Sequence, residues 1–346
     1  MVVRVALVGA GNVAQGHLAG LAEQPTIEVV GILDGDRARA EDKATAFGIP
    51  RLYDSWEQLL ADGTVDCVGL LLPHDLHERF TVEALTAGKH VVCEKPLGTT
   101  ITSCDRMLAT AERHGRHLFA VQNRIYSRAY EKVKEIVVSG AIGEVLIAQT
   151  NGFEPAGTIV GRQPWMIDHR GGGGVLITQA VHAAYALRYL VGEVHRVSCL
   201  FSEKKVVPMA AEDSAVVTLQ FASGAIGAMT STFTTAHGPF DHSITLHGTD
   251  GYVTVGSFPG DPRRSASVRA ISPRFFGDSA MHEVPIAEDD LRHQAFGRMW
   301  ADYASAIGDG TPARCTGIDG KRAVEVILAA YVSNSSGAVV TLPLPG

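Results

Sequence analysis

Cysteine is scarce in this chain and nowhere arranged in pairs. The five cysteines (Cys67, Cys93, Cys104, Cys199, Cys315) include no C-x-x-C, so neither a disulfide framework nor a thiolate zinc site is expected; they read as reduced, mostly buried thiols. No apolar run approaches the roughly 20 residues of a membrane span, and the opening MVVRVALVGAGN has no small-residue cleavage site, so no membrane partner and a cytoplasmic location are expected. Basic charge is in deficit, with 30 Lys and Arg against 37 Asp and Glu and a net charge of −7, which argues against nucleic acid as a partner because such surfaces concentrate positive charge. Internal repeats are absent. No H-E-x-x-H or similar ligand spacing occurs, although Asp168, His169 and His182 lie near one another in sequence, so no metal is expected.

What is present is an ordinary globular balance, 46% apolar and 19% charged over 346 residues. That length exceeds the roughly 250 to 300 residues at which a single core stops growing, and two domains are expected, residues 1–123 and 124–346. The first alternates short β-branched runs with helical patterns, which is how a parallel sheet with crossover helices reads. Strands are predicted at 3–9, 27–34, 51–54, 65–72, 90–95 and 118–123. Ser55 with Gln58 has capping-box spacing, and Gly48 and Gly88 stand where helices end. After Asn123, a helix in RAYEKVKEIVVSG and another from about 175 to 190 frame segments that read as antiparallel strands, VHRVSCLFSE, SAVVTLQFASGAIGAMTSTFTT and ITLHGTDGYVTVGS, joined by glycine turns. Helices near 291–308 and 319–334 and a strand in AVVTLPL close the chain.

GAGNVA at 9–14 matches the G-x-G-x-x-G/A fingerprint, with Gly9 for the tight turn, Gly11 for close approach to a pyrophosphate, Asn12 and Val13 opening the helix, and Ala14 for packing. A strand precedes it, a helix follows, and Asp34 ends the next strand 20 residues beyond Ala14, the ribose-binding position. The fold class is therefore α/β, an N-terminal Rossmann doubly wound parallel sheet with a C-terminal α+β domain on a largely antiparallel sheet. A carboxylate at Asp34 accepts free ribose hydroxyls and repels a 2′-phosphate, so NAD is the expected cofactor; Arg37 leaves NADP open.

LPHDLH at 72–77, AGKHVVCEKPLGTT at 87–100, GGGGVLITQAVH at 171–182 and DGKRAVEVILAAYVSNSSG near the end resemble, together with GAGNVA, the glucose-fructose oxidoreductase, inositol dehydrogenase and MocA family over nearly the whole chain. The resemblance implies that Lys95 of the E-K-P motif meets the substrate hydroxyl at the nicotinamide and that His182 is the general base. Bottom-up, Lys95 follows an apolar strand at its carboxyl end, where open parallel sheets place ligands. An imidazole also suits proton exchange near neutral pH. Pro96 is a candidate cis peptide. Thr178 and His182, four apart, should share a helix face, and the glycines before them should let backbone approach a ligand. Inositol dehydrogenases carry aspartate where Thr178 stands, so inositol itself is in doubt. Asn123, Arg124, Trp165, Asp168 and Thr178 are candidate substrate contacts. Leu72, Pro73, His74, His77 and Glu94 are expected to line the cofactor with Gly9, Gly11, Asn12, Val13, Asp34 and Lys95.

The expected activity is hydride transfer between NAD(P) and a secondary alcohol or ketone of a sugar, polyol or related cyclic compound. An NAD-dependent eliminating or hydrolytic enzyme, in which hydride leaves and returns, is one alternative, and a non-catalytic dinucleotide sensor is another. The β-rich domain offers a sheet face that self-association as a dimer or tetramer would cover.

Overall fold

The computed structural model of the chain describes residues 1–154, 164–168, 172–204, 209–233, 241–256, 267–286 and 292–345. In chain order the elements are β1 (Val3–Val8), α1 (Asn12–Ala22), β2 (Ile27–Leu33), α2 (Arg37–Phe47), α3 (Trp56–Ala61), β3 (Cys67–Leu70), α4 (His77–Thr86), β4 (His90–Cys93), α5 (Ile101–His114) and β5 (Leu118–Ala120). There follow α6 (Arg128–Val138), β6 (Val145–Phe153), α7 (Val181–Val191), β7 (Val194–Phe201), β8 (Ser214–Phe221), β9 (Ile226–Thr232), β10 (Ile244–Gly248), β11 (Tyr252–Gly256) and β12 (Ser267–Ile271). The last are α8 (Pro273–Phe276), β13 (His282–Val284), α9 (Arg292–Asp309), α10 (Gly317–Ser336) and β14 (Val340–Thr341). Two compact units result: Met1–Tyr126 with Leu291–Lys321, and Ser127–Asp290 with Arg322–Gly346. The stretch 291–321, grouped by the sequence reading with everything after residue 123, thus returns to the first unit.

The first unit is a parallel sheet in the order β2-β1-β3-β4-β5. Its strands are apolar on both faces because helices cover both; Val5, Ala6, Leu7, Val68 and Val91 are all fully buried. Arg4, the polar residue of β1, sits at its start and makes a bidentate pair with Asp66, at 3.0 and 2.9 Å. Helix α9 packs on α1 through glycines: a Cβ on Gly20 would lie 2.5 Å from Gly297 N and 2.6 Å from His293 O, so the backbones meet where side chains would hold them apart. From α9, Trp300 reaches the sheet at Gly69, and the Tyr303 ring stacks on Phe119 of β5 at 4.4 Å.

The strand expected at 51–54 is a single bridge, Leu52 to Ile32. Pro50 precedes it, and Asp54 already spends its N–H on Gln58 Oε1 at 2.7 Å. Ser55 caps α3 as expected, accepting from Gln58 N at 3.2 Å, so the reciprocal arm of the box goes to Asp54 rather than to Ser55 itself. Gly48 ends α2 in the left-handed region; α4 ends at Thr86 with Ala87 as its cap, one residue before Gly88.

The second unit is one nine-stranded sheet, β13-β12-β11-β10-β6-β9-β8-β7-β14. Every neighbouring pair is antiparallel except β6 with β9. Burial alternates along β8 and β9, the mark of a sheet covered on one face. The helix expected from 175 begins as a wider π-helical turn, Leu176–Ala180, before α7; such turns recur at functional sites.

Candidate functional site

In the first unit the fingerprint occupies the carboxyl edge of the sheet. Gly9 leaves β1 with φ +105°, and a Cβ there would lie 2.3 Å from the Leu71 carbonyl oxygen, so only glycine lets the turn pass the end of β3. Gly11 is the N-cap of α1 with no side-chain hydrogen bond, and a Cβ on it would meet nothing within 4 Å. A glycine that packs against nothing, at the positive end of a helix opened by Asn12 and Val13, forms a cradle that fits a pyrophosphate. Ala14, fully buried, seats the helix on the sheet.

Asp34 lies just beyond β2. Its Oδ2 accepts from Ala10 N at 2.6 Å and its Oδ1 from Asp36 N at 2.7 Å, which fixes the carboxylate between the glycine turn and the start of α2. Arg37 pairs with Glu41 at 2.9 Å and with Asp54. Hydrogen bonds to Asp54 and Glu41 raise its pKa further. The guanidinium is thereby committed to acids of its own neighbourhood.

Beyond β3, Leu72 and Pro73 are partly exposed and lead into a short 3₁₀ turn, His74–Leu76, in which His74 is buried. His77 is fully buried, with Nδ1 2.7 Å from the Pro96 carbonyl and Nε2 2.9 Å from the Leu72 carbonyl. Burial lowers its pKa against the pull of those two carbonyls. A neutral ring has a single N–H to give to one of these carbonyls; enclosed between the Leu72 and Pro96 loops, it presents no surface to a cofactor, unlike the contact expected of it. The Lys95–Pro96 peptide is cis, as anticipated. Lys95 is partly exposed, whereas Glu94 is buried, with Oε1 3.0 Å from His17 Nε2 and Oε2 accepting from Lys95 N at 3.0 Å. Asn123, buried, and Arg124, partly exposed, fall in a 3₁₀ turn three residues past β5 rather than on the strand.

The second unit holds the remaining candidates. Residues 164–167 form one 3₁₀ turn, and Trp165 and Asp168 are partly exposed. Gly173 N donates to Asp168 O at 2.9 Å and Gly174 N to Met166 O at 3.1 Å. A Cβ on Gly173 would lie 2.4 Å from Met166 O, and one on Gly174 2.4 Å from the Glu212 carboxylate. These two glycines make room for the chain's own backbone and for a buried acid, not for a ligand as expected; Gly171 and His169 lie outside the described residues.

Thr178 is also put to a different use. Buried in the π-helical turn, its hydroxyl donates to Gly174 O at 2.5 Å, which ties down the start of the helix. His182, second in α7, is partly exposed. Glu212 was not legible as a site residue, yet its Oε1 accepts from Leu176 N and from Tyr331 Oη, both at 2.9 Å. It is a carboxylate at the positive end of the helix that carries His182. Burial and that acid push the Tyr331 pKa up, so its hydroxyl remains a donor.

A polar cluster at the end of β6 was missed as well. Gln179 Nε2 lies 3.3 Å from His242 Nε2, which lies 3.1 Å from Glu154 Oε1. A Cβ on Gly152 would strike the Gln179 amide at 2.4 Å, so glycine in β6 is what lets that amide lie against the strand. Nearby, Asn151 Nδ2 donates to Asp241 at 3.0 Å. Nothing in the sequence brings residue 242 to residue 154.

Comparison with known proteins agrees with this geometry. Residues 3–122 match the model of the oxidoreductase family with an NAD-binding Rossmann fold, and residues 130–254 match the GFO/IDH/MocA C-terminal domain. The chain is 25% identical over 338 residues to myo-inositol 2-dehydrogenase of Thermotoga maritima, covering 96% of each. It is 28% identical over 250 residues to 1,5-anhydro-D-fructose reductase of Ensifer adhaerens, covering 72% of this chain and 74% of that one. Levoglucosan dehydrogenase, solved with NADH, superposes with a TM-score of 0.90 at 21% identity, covering 99% of this chain and 100% of the other. With both halves matched and the glycine cradle and Asp34 in place, the chain belongs to the Gfo/Idh/MocA family of NAD-binding oxidoreductases.

Proposed function

We propose that the protein transfers a hydride between NAD and a secondary alcohol or ketone of a sugar, polyol or related cyclic compound. The observation that carries the substrate class is the Gln179, His242, Glu154 cluster with Asn151 and Asp241: donors and acceptors gathered at one strand end suit a ligand rich in hydroxyls and would leave an apolar one poorly matched. The relatives named above, which act on inositol and on anhydro sugars, point the same way.

Bound NAD supplies the hydride acceptor. Gly11 and the first turn of α1 would hold its pyrophosphate and Asp34 its ribose. Lys95 meets the reacting hydroxyl and stabilises the oxygen as charge develops, while His182 takes the hydroxyl proton and returns it in the reverse direction. Asn123, Arg124, Trp165 and Asp168 contribute to substrate binding. The test is a panel of polyols, aldoses, anhydro sugars and their keto forms, followed by NADH absorbance; failure of every member to change NADH would sink the proposal.

The second unit supports a further part of the proposal, a homo-oligomer. On the exposed side of its sheet, Leu200 pairs with Val216, and Ile226 with Ile147, with exposures of 75%, 46%, 53% and 40%, a surface that a second copy would cover. Light scattering should report a dimer or larger species, and Leu200→Glu should reduce its order. A cytoplasmic setting is supported by the cysteines, all five of which are buried free thiols.

A further inference from the structure

Three side chains form a buried chain within the first unit. His17 of α1 is completely buried, with Trp300 of α9 on one side and Glu94 on the other. Trp300 Nε1 lies 3.0 Å from His17 Nδ1, and His17 Nε2 lies 3.0 Å from Glu94 Oε1. An indole nitrogen can only donate. Nδ1 must therefore offer its lone pair, which leaves the ring proton on Nε2 and aims it at Glu94. A proton on Nδ1 would point at the indole N–H, so the neutral ring is confined to one tautomer.

Glu94 uses its other oxygen to accept the Lys95 N–H at 3.0 Å. Burial works against an ionised carboxyl here, but the hydrogen bond and charge interaction with His17, followed by the charge and N–H of Lys95, outweigh it and hold Glu94 below the ordinary carboxylate range. The Phe296 ring, 4.3 Å from the imidazole, offers no competing polar partner. A leucine would fill much of the volume of His17, but it could not direct an N–H at a buried acid.

We propose that His17 is a positioning residue for Lys95: fixed in one tautomer by Trp300, it directs its single N–H at Glu94, whose carboxylate in turn holds the Lys95 backbone and faces its ammonium. The inference rests on Glu94 and Lys95 belonging to the cofactor site. It predicts that the network acts as a unit, so that losing His17 matters only while Glu94 is an acid.

The test uses NADH as probe, read by fluorescence titration, together with proton–nitrogen NMR of the histidine rings and infrared detection of protonated buried carboxyl groups. In the wild type the neutral His17 ring should show a bare Nδ1 and a protonated Nε2. His17→Leu should bring a buried carboxyl into protonation near neutral pH and weaken NADH about tenfold, or ~1.4 kcal/mol. His17→Gln, which restores an N–H near the Nε2 position, should recover most of that loss. In a Glu94→Gln background, His17→Leu should add no further loss. Should His17→Leu not fold, Trp300→Phe removes the donor to Nδ1, and the His17 ring should then populate both tautomers. A protonated Nδ1 in the wild type, a leucine variant with unchanged affinity and no carboxyl signal, equal losses in both Glu94 backgrounds, or a phenylalanine variant whose ring stays locked would each overturn the proposal. Absence of NADH binding by the wild type would instead overturn the cofactor reading, while the ring and carboxyl signals still report on His17.

Discussion

At Lys95 and Asp34 single atoms carry the proposed chemistry, and each makes a separable contribution. On the proposed mechanism Lys95 acts where charge develops on the substrate oxygen, so Lys95→Ala should lower kcat on the order of a hundredfold, far more than it weakens NADH in a titration. Unchanged turnover on the substrate found by screening would remove it from the mechanism. Asp34, in the same proposal, acts on the ground state. Its carboxylate is already oriented by Ala10 N and Asp36 N, and Arg37 is occupied by Glu41 and Asp54, so NAD(H) should bind at least about tenfold more tightly than NADP(H). Asp34→Ala should narrow that gap, chiefly by weakening NAD(H); a wild-type preference for NADP(H) in the same titration would show that a basic residue governs the ribose end. Both candidates could be picked out because a fingerprint and an E-K-P motif are local in sequence. His17, Trp300 and Glu212 were not, because each takes its meaning from a partner 36 to 283 residues away.

Periodicity told where most helices and strands lie, but it assumed a regular helix at 175–190 and so read Thr178 as a group facing substrate. The π-helical turn and the bond to Gly174 O give the hydroxyl to the backbone instead. Thr178→Val should thus cost about 1 kcal/mol of stability in denaturant unfolding, with KM hardly changed, whereas His182→Ala should fold normally and lose most turnover. A large rise in KM for the valine variant would return Thr178 to the substrate. The start of β4 carries a pH response of its own. His90 is pushed from 6.5 down to about 4, first by burial and then by the neighbouring His117 and Arg116. With its folded pKa depressed, the folded protein resists a proton that the unfolded chain accepts below pH 6.5, so stability falls as the pH drops from there toward 4 and is regained as it rises. Melting temperatures across that window should decline less steeply for His90→Gln than for the wild type; parallel curves would mean that His90 does not contribute.

For the whole chain, composition and length indicated two units, and the change of texture after Asn123 marked where the first begins to give way to the second, close to Tyr126. They did not indicate that residues 291–321 return to the first unit. An amphipathic helix shows that it buries a face but not what it buries it against, and the glycines that admit α9, Gly20 and Gly297, look in sequence like weak helix formers. The return has an energetic consequence. Phe296, Met299, Trp300 and Tyr303 are each at most 2% exposed, and full burial of such side chains is worth about 1.5–3 kcal/mol apiece. Four of them together approach the ~5–15 kcal/mol that holds a whole domain folded. Tyr303 Oη also donates to Ala120 O at 2.7 Å, a carbonyl at the end of β5 that would otherwise lose this partner. A fragment of residues 1–126 should therefore contain the complete fingerprint, Asp34 and Lys95 and still fail to unfold cooperatively or bind NADH. Adding a peptide of residues 291–321 in trans should restore a cooperative melt, with NADH binding returning alongside it, and the same peptide carrying Trp300→Ala should restore neither. Cooperative unfolding of the 1–126 fragment alone would show that the parallel sheet closes its core without α9, and that the long return of the chain serves something other than stability.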